Sequence, residues 1–224
     1  MLLEDSLYIL ILIFACLVQG VLLVFINLQV DMRKQTKLLR WLIICSIIIC
    51  ISDMLTRIAS LYTQDGAYMI SISYMVNEIY FISQACVAGV WFVYAQRAIN
   101  SNWLESPVKI IGAAIPMVFL IVFVVLTGAT GWLFSINGMN EYHRGPLFLL
   151  HPLICMGYLL YPSVMALLKI NKSDFYIHRA KLITIALFAA LIIPFVVLQA
   201  VWGNDYPLFC IGYTLALMVL YVNR

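Results

Sequence analysis

The stretch Ile47-Ile48-Ile49-Cys50-Ile51-Ser52-Asp53-Met54-Leu55-Thr56-Arg57 decides how this chain folds. It is apolar until an acid and a base appear four residues apart, a spacing that puts both on one face of a helix. A turn signal follows at Thr63-Gln64-Asp65-Gly66. Beyond it Tyr74, Asn77, Glu78 and Phe81 keep the i, i+3, i+4, i+7 spacing of a single helical stripe. Asp53, Arg57 and Glu78 are the acids and bases embedded in the apolar runs. A charge at bilayer depth is costly, so each is expected to face the interior of a helix bundle and to have a partner there.

The composition around that stretch says the same. The chain has 224 residues, 65% hydrophobic and 10% charged, with a mean hydropathy of +1.03. Soluble domains average about half apolar and about a quarter charged residues. The class is therefore an all-α, polytopic membrane protein, with lipid as an obligatory partner. Each apolar run is long enough to span a core of roughly 30 Å, which needs roughly 20 residues. In lipid the backbone must satisfy itself, so the runs are helices; the alternating strands of a membrane barrel are absent. A net charge of +3 gives no reason to expect nucleic acid. The six cysteines, Cys16, Cys45, Cys50, Cys86, Cys155 and Cys210, all lie in apolar runs without metal-ligand spacing, which marks them as packing residues rather than disulfides or metal ligands. No phosphate-binding glycine loop, HExxH or GxSxG is present, so neither enzymatic activity nor a cofactor is expected of this segment. The last helix has no lysine, which excludes retinal attached there as in microbial rhodopsins.

Seven transmembrane helices are predicted, at about 6–29, 38–62, 69–98, 108–127, 147–168, 182–201 and 208–224, forming one domain over 1–224. The first follows Glu4 and Asp5 with no basic leader region and reads as a retained anchor. Gly112, Ala113 and Ala114 are expected to let a neighbouring helix approach closely. Pro116, Pro152, Pro162 and Pro194 fall inside helices, where each permits a kink. The longest loop, 128–146, reads as a hairpin with a type I′ turn at Asn137-Gly138. Arg33, Lys34, Lys37, Arg40, Arg97, Lys109, Lys169, Lys172, Arg179, Lys181 and Arg224 fall on one side of the membrane; Arg144 stands alone among acids on the other. The positive-inside rule then places the N-terminus outside and the C-terminus in the cytoplasm.

At 1.5 Å per residue, Arg57 lies roughly 8 Å and Glu78 roughly 13 Å below the outer ends of their helices, so the two can meet, with Asp53 deeper. Two acids around one base leave a surplus negative charge. Either one carboxyl is protonated or another cation joins: Arg144 from the loop, a ligand amine or a metal ion. The cluster reads as a clamp between helices 2 and 3 or as a ligand or proton site. His151, Tyr158, Gln199 and Tyr213 are candidates to complete a pocket with Asp53, Arg57, Tyr74, Asn77, Glu78, Phe81 and Arg144. Trp202 and Tyr206 read as interface anchors.

These features together resemble the N-terminal seven-helix sensor region of bacterial histidine kinases and diguanylate cyclases. The resemblance is carried by seven short-looped helices, an outer loop ending Tyr142-His143-Arg144-Gly145-Pro146-Leu147-Phe148, and the close Tyr221-Val222-Asn223-Arg224. It implies a receptor in the bacterial cytoplasmic membrane. It also implies a cytoplasmic output domain following residue 224, and a homodimer formed through that domain. The competing reading is a small transporter or channel. The apolar inner halves, with Ile43, Ile44, Ile47, Ile48 and Ile49 in helix 2 and Val87, Val90 and Val93 in helix 3, count against it.

Overall fold

The computed structural model describes residues 2–28, 34–61, 66–100, 105–138, 140–170, 176–202 and 206–223. The turn at 63–65, residues 101–104 of the loop at 100–107, Arg33, Lys172, Arg224 and the side chain of Trp202 lie outside the described residues.

Seven helices are described: α1 (Leu2–Leu28), α2 (Lys34–Leu61), α3 (Gly66–Ala98), α4 (Pro107–Thr130), α5 (Leu150–Ile170), α6 (Tyr176–Trp202) and α7 (Leu208–Val222). A two-stranded antiparallel hairpin, β1 (Phe134–Ile136) and β2 (Tyr142–Arg144), joins α4 to α5. Six helices, α1 to α6, are long and apolar enough to cross a membrane. The described α7 has 15 residues, roughly 22 Å at 1.5 Å per residue, and is shorter than the other six.

Several helix starts differ from the hydropathy reading. Apolar runs end at the edge of hydrocarbon, whereas helical hydrogen bonds continue past it. So α6 begins at Tyr176 rather than 182, and α1 at Leu2 rather than 6. The second difference brings Asp5 into the first helix. α5 begins later than predicted, at Leu150 rather than 147. The reason is local: the N–H of Leu147 bonds to the Trp132 carbonyl at 3.0 Å and that of Phe148 to Gly145 at 3.1 Å, committing this segment to a strap under the hairpin.

In α1 the buried positions are Asp5, Tyr8, Leu12, Ala15, Gln19, Leu22 and Ile26. Their alternating spacing of three and four is a single helical stripe. Around it α1 packs on α2, α2 on α3, α3 on α5, α5 on α6, α6 on α7, and α7 returns to α1. These six helices form a closed ring. α4 lies outside it, packed on α3, with Ile111, Ile115, Val118, Val122 and Val125 exposed along one face. Gly112 meets nothing within 4 Å of an added Cβ, whereas its neighbour Ala113 packs with Ala88, Phe92 and Tyr158, so the approach on α4 comes at Ala113. A further close approach is at Gly212 of α7, against the Phe195 ring of α6.

Contacts fix which helix ends lie together. At one end Arg40 of α2 donates to the Ile26 carbonyl of α1, 3.4 Å, and Lys169 of α5 to the Ile99 carbonyl after α3, 3.3 Å. The opposite end carries the hairpin. Between them the ring is filled by a continuous core that includes Leu42, Ile43, Ile49, Trp91, Phe188 and Leu217, with Trp91 stacked on Phe188 at 3.6 Å.

The hairpin differs from the two-residue turn that was expected. Phe134 pairs with Arg144 and Ile136 with Tyr142, leaving 137–141 as the connection. The Asn140 N–H bonds back to the Asn137 carbonyl at 3.0 Å, and Asn140 takes the left-handed conformation at φ 59°. This is a longer hairpin loop, with a left-handed position filled here by an asparagine that tolerates it. α4 stops at Gly131, which closes the helix in a left-handed cap at φ 66° with its N–H on the Thr127 carbonyl, 2.8 Å.

Candidate ligand cavity

The hairpin is fastened to the helices beneath it. Tyr74 of α3 accepts the Ile136 N–H at 3.0 Å, and the Asn140 side-chain amide donates to the Ala59 carbonyl of α2 at 2.8 Å. Phe134 lies 5.5 Å from Phe81 and 5.6 Å from Tyr74, ring to ring. At Gly145 an added Cβ would come within 2.3 Å of the Trp132 carbonyl oxygen, so the two arms meet at a point that admits only glycine. Together these contacts make the hairpin a fixed roof over the ring's end.

Beneath it lies a cavity of about 340 Å³, the size of a small-ligand site. α1 contributes Tyr8; α2 contributes Asp53, Thr56, Arg57 and Ser60; α3 contributes Asn77, Tyr80, Phe81, Gln84 and Ala88. The hairpin and strap contribute Tyr142, Arg144, Phe148 and Leu149, and α5 contributes His151, Cys155, Met156 and Leu159. α6 adds Val196 and Gln199, and α7 adds Phe209 and Tyr213.

The charges pair otherwise than the sequence suggested. Arg57 bonds to Asp5 of α1, N to O 2.6 Å, and not to Glu78 or Asp53. Its guanidinium also lies over the Tyr8 ring, 5.2 Å from the centroid. Asp53 is held by neutral donors: the Tyr8 hydroxyl lies 2.9 and 3.0 Å from its two oxygens and the Cys210 thiol 3.8 Å away. Among the described residues no ion pair reaches Asp53. It is half-buried, and the space it opens onto is the cavity.

Glu78 turns the other way. An added Cβ on Gly128 of α4 would sit 3.4 Å from its carboxylate, so Glu78 faces the α3–α4 seam. The expected stripe of α3 therefore divides. Asn77 and Phe81 face the cavity, whereas Tyr74 supports the hairpin and Glu78 faces α4.

The other candidates divide too. The ring nitrogen Nε2 of His151 bonds to the Phe81 carbonyl at 3.0 Å, and its ring meets the Phe81 ring edge-on at 5.1 Å. Gln199 accepts the Phe209 N–H at 2.7 Å, satisfying one of the open donors at the start of α7. Tyr213 packs edge-on against Phe188 at 5.7 Å. Arg144 lies over the Phe148 ring at 4.9 Å, on the exposed side of β2. Tyr158 lies outside the cavity; its hydroxyl donates to the Ala113 carbonyl of α4 and its ring meets Phe92 edge-on. Of the predicted residues, Asp53, Arg57, Asn77, Phe81, Arg144, His151, Gln199 and Tyr213 line one space; Tyr74, Glu78 and Tyr158 do not.

Sequence reasoning missed Asp5, Tyr8, Tyr80, Tyr142 and Phe148. The first two had a readable signal. Asp5, Tyr8 and Gln19 are the polar members of the three-four stripe in an otherwise apolar α1, and a polar group on a membrane helix marks its inward face. Tyr142 sits on β2, outside the helices; burial pushes its hydroxyl pKa up, with Arg144 pulling partly back, so it remains a neutral donor.

A polar thread leaves the cavity floor along α7. Cys210 donates to Asp53, Thr214 one turn later donates to the Cys210 carbonyl at 2.8 Å, and the buried Gln19 amide donates to Thr214 at 2.7 Å. Comparison with family models, with curated proteins and with solved structures finds no match.

Proposed function

We propose that this chain is the sensing part of a transmembrane receptor. Its cavity receives a small or amphipathic ligand from outside the cell and alters the seating of α7, which carries the signal to a cytoplasmic effector. The placement of the roof outside rests on the positive-inside argument. The observation that carries the reading is the make-up of the cavity wall: Phe209 and Tyr213 of α7 line it, and Cys210 between them bonds to Asp53 of α2. An occupant that competes for Asp53 or presses on those rings favours one packing of α7 over another. Such differential contact is what any ligand needs to shift a conformational equilibrium.

The far half of the ring supports this reading over transport. Trp91, Phe188, Leu42 and Ile43 pack there as apolar side chains, with Gln19, Ser46, Gln96 and Ser163 as buried polar exceptions, whereas a pathway for a polar substrate needs polar groups along its length. An effector of the histidine kinase or diguanylate cyclase kind, and dimerisation through it, follow from the sequence resemblance.

The test is a screen of small molecules against the protein in lipid nanodiscs, reading the thermal unfolding midpoint. Amide exchange over 208–222 is then measured with each molecule that binds. Binding with altered exchange in α7 supports a receptor. Net flux of the bound molecule across proteoliposomes would instead establish a transporter.

A further inference from the structure

We propose that the occupant of this cavity is an organic cation, a protonated amine carrying an apolar body, whose charge is read by Asp53. The proposal rests on the receptor reading of the same cavity and adds the chemical class of its ligand.

Besides Asp53, the acids, bases and histidine that bear on the site are Asp5, Arg57, Arg144 and His151; the tyrosines and cysteines around it are neutral. Arg57 is held by Asp5 at 2.6 Å, so that pair is neutral in sum. His151 is engaged with the Phe81 carbonyl. Arg144 is on the hairpin's exposed face, at the mouth. The deep part of the cavity is thus left with one carboxylate, Asp53, whose partners are a hydroxyl and a thiol. Neutral donors satisfy lone pairs but not charge, and a carboxylate in a low-dielectric setting gains most from a cation in contact with it.

The walls suit the same class. Tyr80, Phe81, Phe148 and Tyr213 present aromatic surface to the cavity, and a cation within about 6 Å of a ring centroid is attracted by the ring face. The protein's own cations already use this surface: Arg57 lies over Tyr8 at 5.2 Å and Arg144 over Phe148 at 4.9 Å. A carboxylate at the floor and rings at the sides is a site for an ammonium with an apolar body. Two cations also line the cavity: Arg57, whose charge is met by Asp5 at 2.6 Å, and Arg144, which lies on the exposed side of β2.

The experiment compares three probes of one shape on the protein in neutral-lipid nanodiscs: phenethylammonium, 2-phenylethanol and 3-phenylpropionate. Affinity is read by calorimetry. Phenethylammonium is expected to bind at least about tenfold more tightly than the alcohol, since a contact with a buried charge is worth more than a neutral one. Asp53→Asn is expected to bring the amine down to the level of the alcohol while leaving the alcohol's affinity unchanged. The comparison in the native protein stands whether or not the variant folds. Equal affinity for amine and alcohol, or tighter binding of the carboxylate, overturns the cation assignment and leaves the receptor reading in place. Absence of binding by all three also overturns it, whereas the receptor reading then stands or falls on the exchange of α7 in the wider screen.

Discussion

The pairing of Arg57 with Asp5 can be tested against the pairing the sequence suggests. The two side chains are 28% and 7% exposed and their charged atoms lie 2.6 Å apart. At an effective dielectric near 20 the attraction of two charges 4 Å apart is about 4 kcal/mol, most of it offset by the desolvation of both groups. Removing one partner leaves the other charge buried alone, which costs about 3 kcal/mol. So Asp5→Asn and Arg57→Gln should each destabilise by about 3 kcal/mol, and the double variant by little more than either. The resulting coupling is a little under about 3 kcal/mol. The assay is a double-mutant cycle on unfolding in mixed micelles, followed by circular dichroism. A parallel cycle of Arg57→Gln with Glu78→Gln should be additive within about 0.5 kcal/mol, as for groups that share no partner. Coupling to Glu78 equal to or larger than that to Asp5 would refute the arrangement described here.

Other outcomes follow from single contacts. Tyr74→Phe removes the acceptor of the Ile136 N–H; the loss should cost about 1–3 kcal/mol and raise amide exchange at Ile136 first. Gly145→Ala places a methyl group 2.3 Å from the Trp132 carbonyl oxygen. It should open the hairpin, seen as new protease cleavage within 131–146, with little change in helix content. Gln199→Ala uncovers the Phe209 N–H; α7 should fray at its first turn, at a cost of about 1 kcal/mol, read as faster exchange at Phe209 but not at Leu217. Thr214→Val removes the acceptor for the buried Gln19 amide and should destabilise by about 1–3 kcal/mol, measured by the same unfolding assay.

The helices were legible because lipid leaves an apolar run no other way to satisfy its backbone. The end of α2 was legible because Asp53, Thr56 and Arg57 are polar exceptions that must turn inward, and all three line the cavity. The partner of Arg57 was not. Asp5 precedes the apolar run and reads as a solvated end, and only the earlier start of α1 brings it onto the stripe with Tyr8. Glu78 was misassigned for a related reason. A spacing of three and four marks one helix face, but α3 has neighbours on several sides, α2, α4, α5 and α6. Residues 74 and 78 therefore meet different elements from 77 and 81. The placement of α4 outside the ring, and its effect on Tyr158, depends on helix order in space, which short loops leave open. Asn137-Gly138 named the hairpin correctly but not its turn, because Asn140 supplies the left-handed residue instead.

The central claim is that an occupant of the cavity changes α7. The most direct measurement is amide exchange across 208–222 in lipid nanodiscs, with and without saturating phenethylammonium, in the native protein and in Asp53→Asn. The expected result is altered protection that begins at Cys210, continues past Thr214, and disappears in the variant. Bound ligand with unchanged exchange throughout α7 would contradict the account.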